Sequence, residues 1–137
     1  MIKEIQAKVL LSHCKHPDGW FGVKYNMNIY RGCEHHCIYC DSRSECYQIE
    51  DFNDVLVKVN AIPLLRKELA SKRVKGTIGF GAMSDPYTPI ERKYQLTRQA
   101  LEAGKHVVVE KAFTVTSREA MELIKLAEQK GLMLSVF

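Results

Sequence analysis

Cys33-Glu-His-His-Cys37-Ile-Tyr-Cys40 places three thiols inside eight residues, beside His35 and His36. Thiolate and imidazole are the side chains that hold borderline and soft metals, so in a chain that opens without an export signal this crowding points to metal and not to disulfides. A tight turn at these spacings can aim all three sulfurs at one centre. Two chemistries share that set. Three cysteines can hold three irons of a [4Fe-4S] cluster and leave the fourth iron open to an external ligand; with His35, His36 or His16 as a fourth ligand they can instead close a zinc site. Unligated thiols are the third reading, and Cys14 and Cys46, outside the cluster, read as structural thiols.

The elements that must position this loop follow from periodicity. Residues 5–11 read as a short strand or extended arm. Tyr25, Met27 and Ile29 alternate with Asn26, Asn28 and Tyr30, the period of a two-faced strand that runs directly into the cysteines. Val55, Val57 and Val59 alternate again. Asn60 then caps a helix from Ala61 to Lys72, which tolerates Pro63 in its first turn. Thr77–Gly81 is a short apolar strand, Ser84-Asp85-Pro86 opens a rigid loop, and Arg92–Ala103 reads as a helix stopped by Gly104. His106–Val109 reads as a covered strand. Thr116 and Glu119 form a capping box for a helix that buries Ala120, Leu123, Ile124 and Ala127 and closes at Gly131; a last strand follows from Leu132. Strand–helix alternation from residue 25 onward implies a parallel sheet with helical crossovers.

Bulk composition sets the class. The 137 residues are 46% hydrophobic and 26% charged, as in a soluble globular domain, and no apolar run approaches the ~18 residues of a membrane span. The expectation is a cytoplasmic protein with no membrane partner. The net charge of +4 is spread along the chain except at Lys72, Arg73 and Lys75. Such a cluster is ordinarily a solvated turn; it becomes a phosphate-binding footprint only where the fold gathers further cations on the same face, so nucleic acid is allowed but not indicated. The apolar strand at the C-terminal end favours self-association through its edge.

Two longer stretches carry a resemblance. Asn28-Ile-Tyr-Arg-Gly-Cys33 through Cys40, then Asp41-Ser-Arg-Ser-Glu-Cys46-Tyr, and later Gly81-Ala-Met-Ser84-Asp85-Pro86-Tyr87-Thr-Pro-Ile-Glu91, resemble the radical SAM family related to spore photoproduct lyase, over residues 5–101. The resemblance implies a partial, truncated β/α half barrel with a parallel sheet and the cluster loop after its first strand. It implies a [4Fe-4S] cluster on Cys33, Cys37 and Cys40, with S-adenosylmethionine on the open iron cleaved reductively to a 5′-deoxyadenosyl radical, a lyase-like enzyme supplied by flavodoxin or ferredoxin. Tyr39, Ser84 and Asp85 then contact the cofactor.

From Gln99 the likeness changes. Ala100-Leu-Glu-Ala-Gly-Lys-His-Val-Val-Val-Glu110-Lys111-Ala112 through Gly131-Leu-Met-Leu-Ser-Val-Phe137 is similar to the glucose-fructose oxidoreductase family of NAD(P)-dependent dehydrogenases. That family has Glu-Lys-Pro where Ala112 ends the triplet here, and the likeness implies Lys111 at the substrate–nicotinamide end. In the radical SAM reading Lys111 faces S-adenosylmethionine instead. The N-terminal strand, glycine-rich turn and helix of a dinucleotide site are missing, and Gly79-Phe-Gly81-Ala-Met-Ser84 imitates them weakly, with Asp85-Pro86 where a helix should begin. The chain therefore reads as a chimera joined within Arg98–Glu102, a cluster-binding segment 1–101 and an oxidoreductase-like segment 102–137 that continue one sheet in one compact domain. The expected function is a radical SAM protein; a non-catalytic zinc or iron–sulfur module, an inactive fragment and an NAD(P)-dependent dehydrogenase are the alternatives.

Overall fold

The structure, a computed structural model, describes residues 1–17, 19–20, 22–47, 53–81, 84–86, 88–109 and 113–136. Strands β1 (Ile2–Ile5), β2 (Leu11–His13), β3 (Val23–Met27), β4 (Tyr30–Arg31) and β5 (Val55–Lys58) precede helix α1 (Ala61–Ser71) and strand β6 (Thr77–Phe80). Helices α2 (Glu91–Tyr94) and α3 (Leu96–Glu102), strand β7 (Val107–Val109), helix α4 (Ser117–Gln129) and strand β8 (Leu134–Val136) follow. The described strands form three small sheets, in the orders β1-β5-β4, β2-β3-β6 and β7-β8.

This pairing corrects the expected half barrel with one parallel sheet. β5 runs parallel to β1 but antiparallel to β4, and β3 runs parallel to β6 but antiparallel to β2. A barrel seats successive parallel strands side by side; here the strands on either side of α1 lie in different sheets. Alternation in a sequence reports which segments are extended, and is silent about which edges meet. Residues 5–11, read as a short strand or extended arm, instead link two strands, β1 and β2, that occupy edges a barrel would have used.

Side chains sew the N-terminal segment to α1. Asn60 is the N-cap residue of α1, yet its side chain makes no cap bond. Its amide instead brackets Ala7, accepting from Ala7 N at 2.8 Å and donating to Ala7 O at 2.8 Å. Both carboxylate oxygens of Glu68 accept backbone N–H groups, from Leu10 at 2.9 Å and Leu11 at 2.7 Å. At the other end of β1, the α-amino group of Met1 and Lys3 hold the half-buried Asp54 carboxyl below its ordinary value. The folded pKa lies under the unfolded one, so the contribution is present above the normal carboxylate range and is lost as pH falls through the folded value. The substitution D54N should therefore flatten the acid limb of the stability–pH curve between those two values, measured by urea denaturation at a series of pH values.

The capping box of α4 forms as the residues dictate: Thr116 Oγ1 accepts from Glu119 N, and the Glu119 carboxylate accepts from Thr116 N. The helix expected over Arg92–Ala103 is broken. Gln95 sits at φ +50°, in the left-handed region that L residues avoid, and the Gln99 amide donates at 3.1 Å to the Tyr94 carbonyl, which the break exposes. Two apolar clusters result. The larger gathers Tyr25, Met27, Ile29, Val55, Val57 and Leu65 with others, and the smaller gathers Leu101, Val107 and Leu123; Phe80 packs against both.

Candidate functional site

Because β3 and β6 are parallel, paired from Val23↔Thr77 to Met27↔Phe80 with one register shift between Val23 and Tyr25, the segments after their carboxyl ends emerge together. One leads through β4 into the cysteine loop. The other turns at Gly81 (φ +92°) into Ser84-Asp85-Pro86. Carboxyl ends of parallel strands are where α/β proteins assemble their sites, and here two loops meet there through buried polar groups.

Ser84 Oγ donates to the Tyr30 carbonyl at 3.0 Å, and the Tyr30 hydroxyl donates to the Glu91 carboxylate. Tyr30 is fully buried and Glu91 is 1% exposed. His35 Nε2 lies 3.1 Å from Asp85 Oδ2. Cys33 is buried in the same junction, where its sulfur accepts backbone N–H groups of His35 and Asp85. Burial pushes the Cys33 thiol up, more than those two donors bring it down. Thr88 Oγ1 is buried without a hydrogen-bond partner among the described residues.

The structure thus brings Cys33, Ser84 and Asp85 into one junction and separates other expected residues from it. Cys37 and Cys40 are half-buried, joined by the turn bond from Cys40 N to Cys37 O at 3.2 Å. Tyr39, expected at the cofactor, is 77% exposed beside a fully exposed Ile38. Lys111 lies outside the described residues. Among the described residues no three His, Cys, Asp or Glu side chains converge as metal ligands. Glu91, which reads in sequence as a helix-start acid, is instead buried; no local signal could have revealed this, since its partner Tyr30 lies 61 residues away.

A cleft lies elsewhere, a cavity of about 370 Å³ between α2–α3 and the start of α4, lined in part by Arg92, Arg98, Arg118, Glu119 and Glu122. Its charges are matched: Arg92 pairs with Glu119 at 2.9 Å, and Arg118 and Arg98 reach Glu122 at 3.3 and 3.6 Å. It presents no unbalanced field to a ligand.

Comparison with known proteins covers the C-terminal segment most densely. The family model for the oxidoreductase family with an NAD-binding Rossmann fold matches residues 78–137. That stretch runs from within β6 through β8. YdgJ of Escherichia coli, an uncharacterized oxidoreductase, is 56% identical over 50 residues, 36% of this chain and 14% of its own length. The scyllo-inositol 2-dehydrogenase (NADP(+)) IolW of Bacillus subtilis is 44% identical over 50 residues, again 36% of this chain and 14% of its length. MJ0683 of Methanocaldococcus jannaschii, whose name assigns no activity, is 37% identical over 103 residues, 73% of this chain and 37% of its own length. That alignment is longer than the whole of 78–137, so it extends into the N-terminal half. The chain spans well under half the length of each of these relatives.

These matches correct the radical SAM reading. The matched family binds a nicotinamide dinucleotide, which overturns the recognition as a spore photoproduct lyase relative, the half-barrel fold, the lyase-like activity and the expected pair of cofactors, [4Fe-4S] and S-adenosylmethionine. The cysteine geometry agrees, because the expected ligands Cys33, Cys37 and Cys40 do not gather into a metal-binding group. The dinucleotide must be tested against the structure in turn. A pyrophosphate needs open glycines at a helix N-terminus. A Cβ on Gly79 would stand 2.8 Å from Val23 Cγ1, and one on Gly81 2.9 Å from Pro86 Cδ. Both glycines serve internal packing, and the next described helix, four residues long, begins only at Glu91. Among the described residues the pyrophosphate has no cradle.

Proposed function

We propose that the chain contributes the nicotinamide-side portion of an NAD(P)-dependent oxidoreductase acting on a polyhydroxylated substrate. The observation that carries this reading is the family match over 78–137, which coincides with a complete strand–helix–strand unit. β7 and β8 pair in parallel from Val107↔Leu134 to Val109↔Val136, with α4 as the crossover, the connection that nucleotide-binding α/β sheets repeat. Lys111, two residues beyond the end of β7, is the side chain assigned to the nicotinamide–substrate end, and Ala112 replaces the proline of the related triplet. The polyol class follows from the name of IolW.

With no pyrophosphate cradle among the described residues, affinity should be weak and confined to the nicotinamide half. Titration followed by NADPH and NADH fluorescence is expected to give a dissociation constant of about 1 mM, with ADP failing to compete; K111A should weaken it at least ~10-fold, about 1.4 kcal/mol. No binding of either reduced cofactor at ~10 mM, or binding indifferent to K111A, would overturn the reading.

A further inference from the structure

The ends of β3 and β6 opposite the cysteine loop collect positive charge. Parallel pairing sets Val23 beside Thr77, so the segment entering β3 and the segment entering β6 lie side by side. Antiparallel β2 delivers its own last residues to the same end, with His13 opposite Tyr25. The hairpin loop between β2 and β3 is closed by Cys14 N donating to Lys24 O at 2.9 Å.

Measured contacts tie these segments into one surface. The stem of Lys24 lies over Gly76, where an added Cβ would meet Lys24 Cβ and Cδ at 2.7 Å. Lys72 Nζ stands 5.2 Å from the centroid of the Tyr25 ring, whose hydroxyl donates to Val74 O at 3.0 Å. The His13 ring meets the Tyr25 ring edge-on at 5.7 Å. The short run Lys72, Arg73 and Lys75 is thereby joined by Lys24 from β3 and adjoins Lys15 in the hairpin loop. Against these five cations the two segments, residues 13–24 and 72–77, carry one acid, Asp18. None of the five makes an ion pair among the described residues, whereas Arg92, Arg98 and Arg118 elsewhere are all paired. Holding unpaired like charges together raises the free energy of the fold unless an anion neutralises them.

The hairpin loop also carries an exposed aromatic group. Trp20, in the same hairpin loop, is 94% exposed. A basic track with a projecting aromatic ring is the arrangement that holds single-stranded nucleic acid, phosphates on the cations and a base against the ring. A lipid surface would need a broader apolar face than Trp20 and the half-exposed Val74 provide. We propose that this surface, built from Lys15, Trp20, Lys24, Lys72, Arg73 and Lys75, binds single-stranded nucleic acid through its backbone and one stacked base, without sequence preference.

Fluorescence anisotropy of a labelled oligothymidylate of roughly 20 nucleotides, titrated with the full chain at about 50 mM salt, tests this. Saturable binding is expected, with log K falling against log salt at a slope of about −2 to −3.5, the value for three to five phosphate contacts on a single strand. The fluorescence of Trp20, the one tryptophan of the chain, should quench on binding. The variant K72E/R73E/K75E should bind at least ~100-fold more weakly. W20A should lose ~5-fold or more while keeping the salt slope. K93E/R118E/K125E, an equal change of charge on α2 and α4, should bind as the parent does. Absence of binding, equal loss in the two triple variants, an unchanged affinity in K72E/R73E/K75E, or binding to anionic vesicles in place of the oligonucleotide would each overturn the proposal. Circular dichroism of every variant confirms that the fold is retained, since all the substituted lysines and arginines are exposed.

Discussion

Replacing Glu91 by alanine is expected to destabilise the fold by about 3–5 kcal/mol, the range for removing one partner of a buried charged hydrogen bond. Glu91 is 1% exposed and accepts from the hydroxyl of Tyr30, which is itself fully buried. Deleting the carboxylate leaves that hydroxyl without its acceptor in the core and opens a cavity, and the two costs add. The effect reaches beyond the pair. Tyr30 O also receives Ser84 Oγ, so the three residues hold the turn after β6 against β4. Urea denaturation should show E45A, at an exposed acid, within about 0.5 kcal/mol of the parent, as surface substitutions are. Y30F should cost less than E91A, and the double variant Y30F/E91A less than the sum of the singles, because each single change already breaks the same bond. An E91A loss below ~1 kcal/mol would mean that the carboxylate is reached by water and that the junction is looser than described.

Local physics made much of this molecule legible in sequence. The Val55–Val57 alternation, the capping box of Thr116 and Glu119, and the glycines after α3 and α4, at φ +77° and +61°, each depend on neighbours within four residues. What failed depends on distant partners. Asn60 is a good N-cap by type, yet its amide is drawn to Ala7, 53 residues away. Gln95 interrupts a helix most of whose residues favour continuing it. The pairing of β5 with β1 and of β6 with β3 is decided by edges that no periodicity encodes. At the site the same division holds. Ser84 and Cys33 were legible as polar or thiol groups in turn-rich loops, while the burial of Glu91 and the approach of His35 to Asp85 exist only once the two loops meet.

The chemistry read from the cysteines failed for a related reason. Spacing specifies that three sulfurs can converge, not that they do. In the structure Cys33 faces the core and receives backbone donors, while Cys37 and Cys40 lie partly in solvent on a turn whose tip, Ile38 and Tyr39, is exposed. The stronger functional evidence sits in the segment with the least distinctive composition, from β6 to β8, where no cysteine occurs. Opposite ends of the β2-β3-β6 sheet then have different physical characters: a polar, buried junction at the carboxyl ends and an unneutralised basic surface at the amino ends.

Leu101→Ala should cost about 2–5 kcal/mol, the range for emptying a buried leucine site, and it tests whether the two apolar clusters form one folding unit. Leu101 is fully buried and forms the smaller cluster with Val107 and Leu123. A strand pair and one helix bury too little surface to be stable alone, so β7, α4 and β8 must draw stability from the larger cluster. Phe80 is the physical link, since it packs against both. In hydrogen exchange, L101A should therefore accelerate amides of α1 such as Leu65 and Leu69 together with those of Leu123 and Ala127 in α4. The substitution F80A should uncouple them, leaving α1 protected while α4 exchanges freely. If L101A accelerates exchange only within residues 107–136, the C-terminal segment opens by itself and the clusters are two units despite the shared phenylalanine.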